Sequence, residues 1–95
     1  MNNKLVSIIM PTYNDAKYLH SAINDILEQT YKNFELIIVN DGSTDNTSDI
    51  LKQYEKLDDR IQVYEKENGG TGSALNYGFE KARGFYGTWV SSDDN

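Results

Sequence analysis

The chain has 95 residues, 38% of them apolar and 12% aromatic, which suits one domain with a modest core and leaves no room for a second. A formal charge of −6 repels phosphate backbones and anionic membrane surfaces, so nucleic acid is excluded as a natural partner. Cysteine is absent, which removes disulfides, thiolate metal sites and a cysteine nucleophile together.

The first apolar run, residues 5–10, has almost no polar alternation and reads as a strand buried on both faces. It is too short to span a membrane and carries no secretory cleavage pattern, so a cytoplasmic location is expected. Pro11 then turns the chain. In DAKYLHSAINDILEQ, Ala16, Leu19, Ile23, Ile26, Leu27 and Thr30 recur at helical spacing behind Asn14 or Asp15 as N-cap. FELIIV, residues 34–39, is a second buried strand. NDGSTDNTSD is dense in turn and capping residues, with Asp45 placed to cap the next helix. Ile50, Leu51, Tyr54 and Leu57 predict that helix over 47–56.

Residues 61–65, IQVYE, make a short third strand of alternating character. Gly69, Gly70 and Gly72 interrupt the pattern. A third helix holding Ala74, Leu75, Gly78, Phe79 and Ala82 runs to about residue 83, with Gly84 as its C-terminal cap. Residues 86–91 form the fourth strand. The alternation predicts an α/β fold of three layers, a mainly parallel sheet of about four strands joined by right-handed crossover helices.

Ligands of such sheets sit beyond the C-terminal strand ends, near the switch in strand order. Residues 11–15, 40–45, 67–72 and 91–95 fall there. Taken one by one, these residues have plain readings. Tyr13 is a half-buried aromatic, Asp41 a turn former, and Asp93 with Asp94 a solvated acidic end. ENGGTGSALNYG invites a phosphate cradle, but the third glycine of a dinucleotide fingerprint would fall at Leu75 and the turn follows the third strand, not the first. His20, the single histidine, reads as structural, and Lys4, Lys52, Lys56, Lys66 and Lys81 as solvated surface.

In order along the chain, VSIIMPTYN, FELIIVNDGSTDNT, ENGGTGSALNYGFEKARG and SSDDN resemble the successive blocks of the family-2 glycosyltransferases, which have the GT-A fold. NDGSTD directly after an apolar strand is the most specific of them. The resemblance implies that residues 1–95 are a single domain, the Rossmann-like, N-terminal nucleotide-sugar-binding portion, ending just past an acidic metal-binding motif. It implies inverting transfer of a sugar from a UDP-sugar donor to the hydroxyl of a saccharide or other acceptor, with Mg²⁺ or Mn²⁺, in a parent protein that works in the cytoplasm or at the inner face of a membrane.

Carried over to this sequence, the resemblance places Pro11, Thr12, Tyr13 and Asn14 beside the base, and Asp41 on the uracil N3 hydrogen. Gly69, Gly70 and Asn76 belong to the donor pocket, Asp93 lies towards the ribose or sugar, and Asp94 holds the metal. Two positions depart from the family pattern: Leu75 stands where an arginine is usual, and Ser91 where an aspartate is usual. No catalytic base is assigned. Two alternatives stay open. A sugar-nucleotide nucleotidyltransferase would need a glycine-rich basic loop after strand one, which PTYND lacks. A non-catalytic module would self-associate through the sheet edge bearing Trp89 and Val90.

Overall fold

The computed structural model describes residues 4–29, 31–84 and 86–90. Four strands, β1 (Val6–Thr12), β2 (Phe34–Asp41), β3 (Ile61–Lys66) and β4 (Tyr86–Trp89), alternate with three helices, α1 (Ala16–Glu28), α2 (Thr47–Leu57) and α3 (Thr71–Lys81). Every strand pair is parallel, in the order β3-β2-β1-β4. The chain thus steps outward from β1 to β3, then returns to the other side of β1, which puts the switch in strand order between β1 and β4.

Side-chain alternation along the strands decides which helix covers which face. Met10, Leu36 and Ile38 point to one side and pack with Leu19 and Ile23 of α1 and Leu51 and Tyr54 of α2. Ile9, Ile37 and Val39 point to the other and pack with Ala74 of α3. The result is three layers, as expected, with all eight residues of β2 buried at the centre. Helix α3 lies tight on its face because Gly78 has no Cβ; one added there would come within 2.5 Å of Ile9 Cγ2.

Two local expectations are corrected. Pro11 does not turn the chain: it continues β1, paired with Val39. The amide of Val6 bonds on the β2 side and the carbonyl of Ile9 on the β4 side, so Pro11, two residues on from Ile9, also faces β4. The β1–β2 ladder therefore needs no N–H from residue 11, and a proline fits there without breaking it. Gly84 does not cap α3 either, because the helix ends at Lys81 with Ala82 in the cap position. Its amide instead donates a 2.7 Å hydrogen bond to Ser7 Oγ. A Cβ there would lie 2.4 Å from that oxygen, so the close approach itself requires glycine.

The N-terminal end of the sheet is closed by one buried carboxylate. Glu35 Oε2 accepts hydrogen bonds from Ser7 Oγ and from the Arg83 amide, both at 2.6 Å. Its Oε1 accepts from Gln62 Nε2 at 3.0 Å and from Arg83 Nη2 at 3.2 Å. Burial pushes this carboxyl's pKa up, but the hydrogen bonds outweigh burial and hold it below its ordinary 4.5. On the opposite flank, His20 Nδ1 lies 2.7 Å from Tyr54 Oη and links α1 to α2, the structural part read for it in the sequence. Among the described residues no helix is long and apolar enough to cross a membrane.

Candidate functional site

With one end clasped, the polar residues gather at the other. A cleft of about 230 Å³ opens at the C-terminal strand ends, floored by Pro11 and Thr12 of β1 and Asp41 of β2. Tyr13 and Asp15 after β1, Thr71 and Ala74 of α3, and Trp89 of β4 complete its lining. Strand β1 and its exit, the end of β2, the start of α3 and β4 therefore converge at the switch in strand order, where an open parallel sheet receives a ligand.

Asp41 is the most constrained of these residues. It is only 3% exposed, and its carboxylate accepts three hydrogen bonds from within the protein. Lys66 Nζ donates to Oδ1 at 3.0 Å and the Gly69 amide to the same oxygen at 2.9 Å, while the Gly70 amide donates to Oδ2 at 2.9 Å. A carboxylate offers about four acceptor positions, so roughly one remains, on Oδ2. Burial alone would raise the pKa; the bonds from Lys66, Gly69 and Gly70 prevail and hold the group below its ordinary 3.8, so it is ionised at neutral pH.

The glycine turn is thus committed. Its two amides hold Asp41, and the protein's own carboxylate fills the place of the anion that a cradle would bind. Asn68 Nδ2 adds a 3.0 Å bond to the Asp41 carbonyl, and Gly42 makes this approach feasible. Gly42 has φ +75°, and a Cβ on it would come within 2.7 Å of the Asn68 amide.

Lys66 is not the solvated lysine that its sequence context suggests. Its side chain is 16% exposed and paired with Asp41, and its Nζ also donates to the Glu67 carbonyl at 2.6 Å. The signal for it lay in register: Asp41 and Lys66 are the last residues of neighbouring strands and stand directly opposite. Asp15, Thr71, Ala74 and Trp89 line the cleft although none is among the expected binding residues.

Other expected site residues have different surroundings. Asn14 has a left-handed backbone, φ 51°, and is absent from the cleft lining. Its Oδ1 accepts from the Thr44 amide at 2.7 Å and the Asp45 amide at 3.3 Å, and its own amide donates to Ser43 Oγ at 2.9 Å. It braces the loop after β2. Asn40, fully buried, holds the same loop through a 3.2 Å bond from the Ser43 amide. Asp45 accepts from the Thr47 amide at 2.9 Å and the Ala16 amide at 3.4 Å, capping the first turns of α2 and α1 together. Asn76 is exposed on α3, about 200° around the helix from Ala74, and does not line the cleft. Asp93 and Asp94 lie outside the described residues, four and five positions after Trp89 in the sequence. Among the described residues no group of three or more His, Cys, Asp or Glu side chains could hold a metal ion, so these residues do not by themselves fit one.

The family description "Glycosyl transferase family 2" matches residues 7–95. This chain belongs to glycosyltransferase family 2. It is 54% identical over 90 residues to an uncharacterized glycosyltransferase of Rickettsia typhi, a match covering 95% of this chain and 27% of that protein. The four-stranded parallel sheet with its helices matches the GT-A glycosyltransferase structures. Staphylococcus aureus TarS 1–349, solved in complex with UDP-GlcNAc, superimposes with TM-score 0.85 and 34% identity, over 93% of this chain and 26% of that one. The mannosyltransferase PcManGT of Pyrobaculum calidifontis, solved with GDP-Man and Mn²⁺, gives TM-score 0.86 and 28% identity, over 93% and 27%. The chain therefore spans about a quarter of the length of these similar proteins.

Proposed function

We propose that these residues bind the nucleotide of a UDP-sugar, as the donor-binding portion of an inverting, divalent-metal-dependent glycosyltransferase. The observation that carries this reading is the single open acceptor position on Asp41 in the cleft. Uracil has one N–H on its pairing edge, at N3, which that position can receive; cytosine N3 only accepts and would meet the carboxylate unfavourably. Tyr13, 47% exposed beside Asp41, offers a ring face for the base. TarS in complex with UDP-GlcNAc supports the donor class.

A divalent cation, when bound, offsets the charge of the diphosphate and of the leaving group, which an acidic protein otherwise repels. Asp94 is assigned to the cation and Asp93 to the ribose or sugar. PcManGT in complex with Mn²⁺ supports a metal of this kind. The whole protein then moves the sugar to an acceptor hydroxyl, of a saccharide or another molecule, with a base taking the acceptor proton. None of the described residues is assigned as that base, so these 95 residues bind nucleotide without transferring sugar at an enzymatic rate.

Calorimetric titration with UDP, CDP and GDP, each with and without Mn²⁺, tests the reading. Preferred binding of UDP in the presence of metal is expected. Equal binding of the three nucleotides, or binding of none, would overturn it.

A further inference from the structure

Of the three donors that hold Asp41, two are main-chain amides that any residue but proline keeps; the third, Lys66, is a side chain. Lys66 Nζ and the Gly69 amide together use both acceptor positions of Oδ1, while Oδ2 receives only Gly70. That asymmetry has a consequence for base choice. Uracil brings one N–H, at N3, and needs one acceptor. Guanine brings two side by side, at N1 and on the 2-amino group, and satisfies both on a carboxylate only if each oxygen has a position open.

We propose that Lys66 is a specificity-determining residue that closes Oδ1 of Asp41, so that the cleft receives a base with a lone ring N–H, as in uracil, and rejects one whose ring N–H is flanked by an amino donor, as in guanine. This rests on the reading that the base edge meets Asp41. It adds a role for a residue that does not itself line the cleft. A guanine 2-amino group facing a filled oxygen loses its hydrogen bond with water and gains none from the protein. A cost of that kind corresponds to about tenfold or more in affinity. In a chain without Lys66 the same oxygen has a free position, and guanine meets no such cost.

The test titrates the wild-type chain and Lys66→Met with UDP, CDP, GDP and inosine diphosphate at a fixed Mn²⁺ concentration. Inosine diphosphate has the guanine ring system and its N1–H but lacks the 2-amino group, so it separates donor count from ring size in the wild-type protein alone. The wild type is expected to bind inosine diphosphate about tenfold more tightly than GDP. Lys66→Met is expected to lower the UDP:GDP affinity ratio about tenfold, chiefly by gaining GDP, while CDP stays weak. Should the variant fail to fold by circular dichroism, the inosine diphosphate comparison still decides.

If the wild type prefers UDP but binds inosine diphosphate no better than GDP, or if a folded Lys66→Met keeps the wild-type UDP:GDP ratio, the role of Lys66 is overturned and the reading of Asp41 stands. If the wild type binds no UDP, the reading of the base site fails and the role of Lys66 falls with it.

Discussion

Ser7 and Glu35 meet across the N-terminal end of the sheet, the hydroxyl of one donating a 2.6 Å hydrogen bond to the buried carboxylate of the other. The same carboxylate receives the amide and guanidinium of Arg83, so one side chain ties β1 and β2 to the connection that leads into β4. Glu35→Ala leaves the buried Ser7 hydroxyl without its acceptor and unties Arg83, and should lower the unfolding free energy by about 2–3 kcal/mol. Urea denaturation at pH 7 measures it. A loss under about half a kcal/mol would mean that water replaces the carboxylate without penalty.

Acid should weaken the fold through the same kind of group. Glu35, Asp41 and Asp45 are carboxyls whose hydrogen bonds outweigh burial, and Asp58 is held by the Arg60 guanidinium; all four titrate below their ordinary values of 4.5 for Glu and 3.8 for Asp. As the pH falls, the unfolded chain therefore takes up protons before the folded one. Their contribution is complete above the ordinary values and is lost as pH drops through the depressed, folded-state values. Melting temperatures should be flat from pH 7 to about 5 and decline steadily below that.

Tyr13 can be tested apart from stability because its ring is half exposed. Tyr13→Ala should weaken UDP binding by about tenfold, the size of one lost base–aromatic stack, with the urea midpoint unchanged. Retained affinity would show that the base does not use this ring.

Asn14 makes the opposite prediction, an effect on stability that reaches binding only through the loop it braces. Asn14→Ala places an alanine at φ 51° and removes the acceptor for the Thr44 and Asp45 amides, a loss of about 1–3 kcal/mol. Asn14→Gly relieves the backbone strain and loses only the hydrogen bonds, so its melting temperature should lie between those of wild type and Asn14→Ala. Equal melting temperatures for the two variants would remove strain from the account.

Strand β4 is one edge of the described sheet, and Trp89 on it is 49% exposed. An open edge beside an apolar ring favours pairing with a second copy. Light scattering should give a mass that rises with concentration, and Trp89→Lys should reduce that rise. A strictly monomeric mass at high concentration would exclude the association.

Elements with a strong local pattern were legible in the sequence. FELIIV is apolar on both faces except at Glu35, and a strand covered on both sides follows directly. The helical spacing of Leu19 with Ile23, and of Leu51 with Tyr54, likewise shows which residues reach the core. What could not be read depends on pairs distant in the chain. Pro11 reads as a turn until it is seen to face away from β2, and Gly84 as a cap until Ser7 is seen against it. Lys66 reads as a surface charge until the strand register sets it opposite Asp41. At the candidate site, the blocks around Asp41 and Tyr13 point to two residues that line the cleft, whereas the bracing role of Asn14 emerges only from the fold of the loop after β2.

The burial of β2 has a mechanical result. All eight residues of β2 are buried, and the strand pairs in parallel with β1 on one side and β3 on the other. The cleft floor, Pro11 and Thr12 of β1 with Asp41 of β2, is therefore fixed by paired main chain and not by the bulk of any one side chain. Substitutions along the rim, at Tyr13 or Thr71, should retune what the cleft holds while its floor keeps its shape.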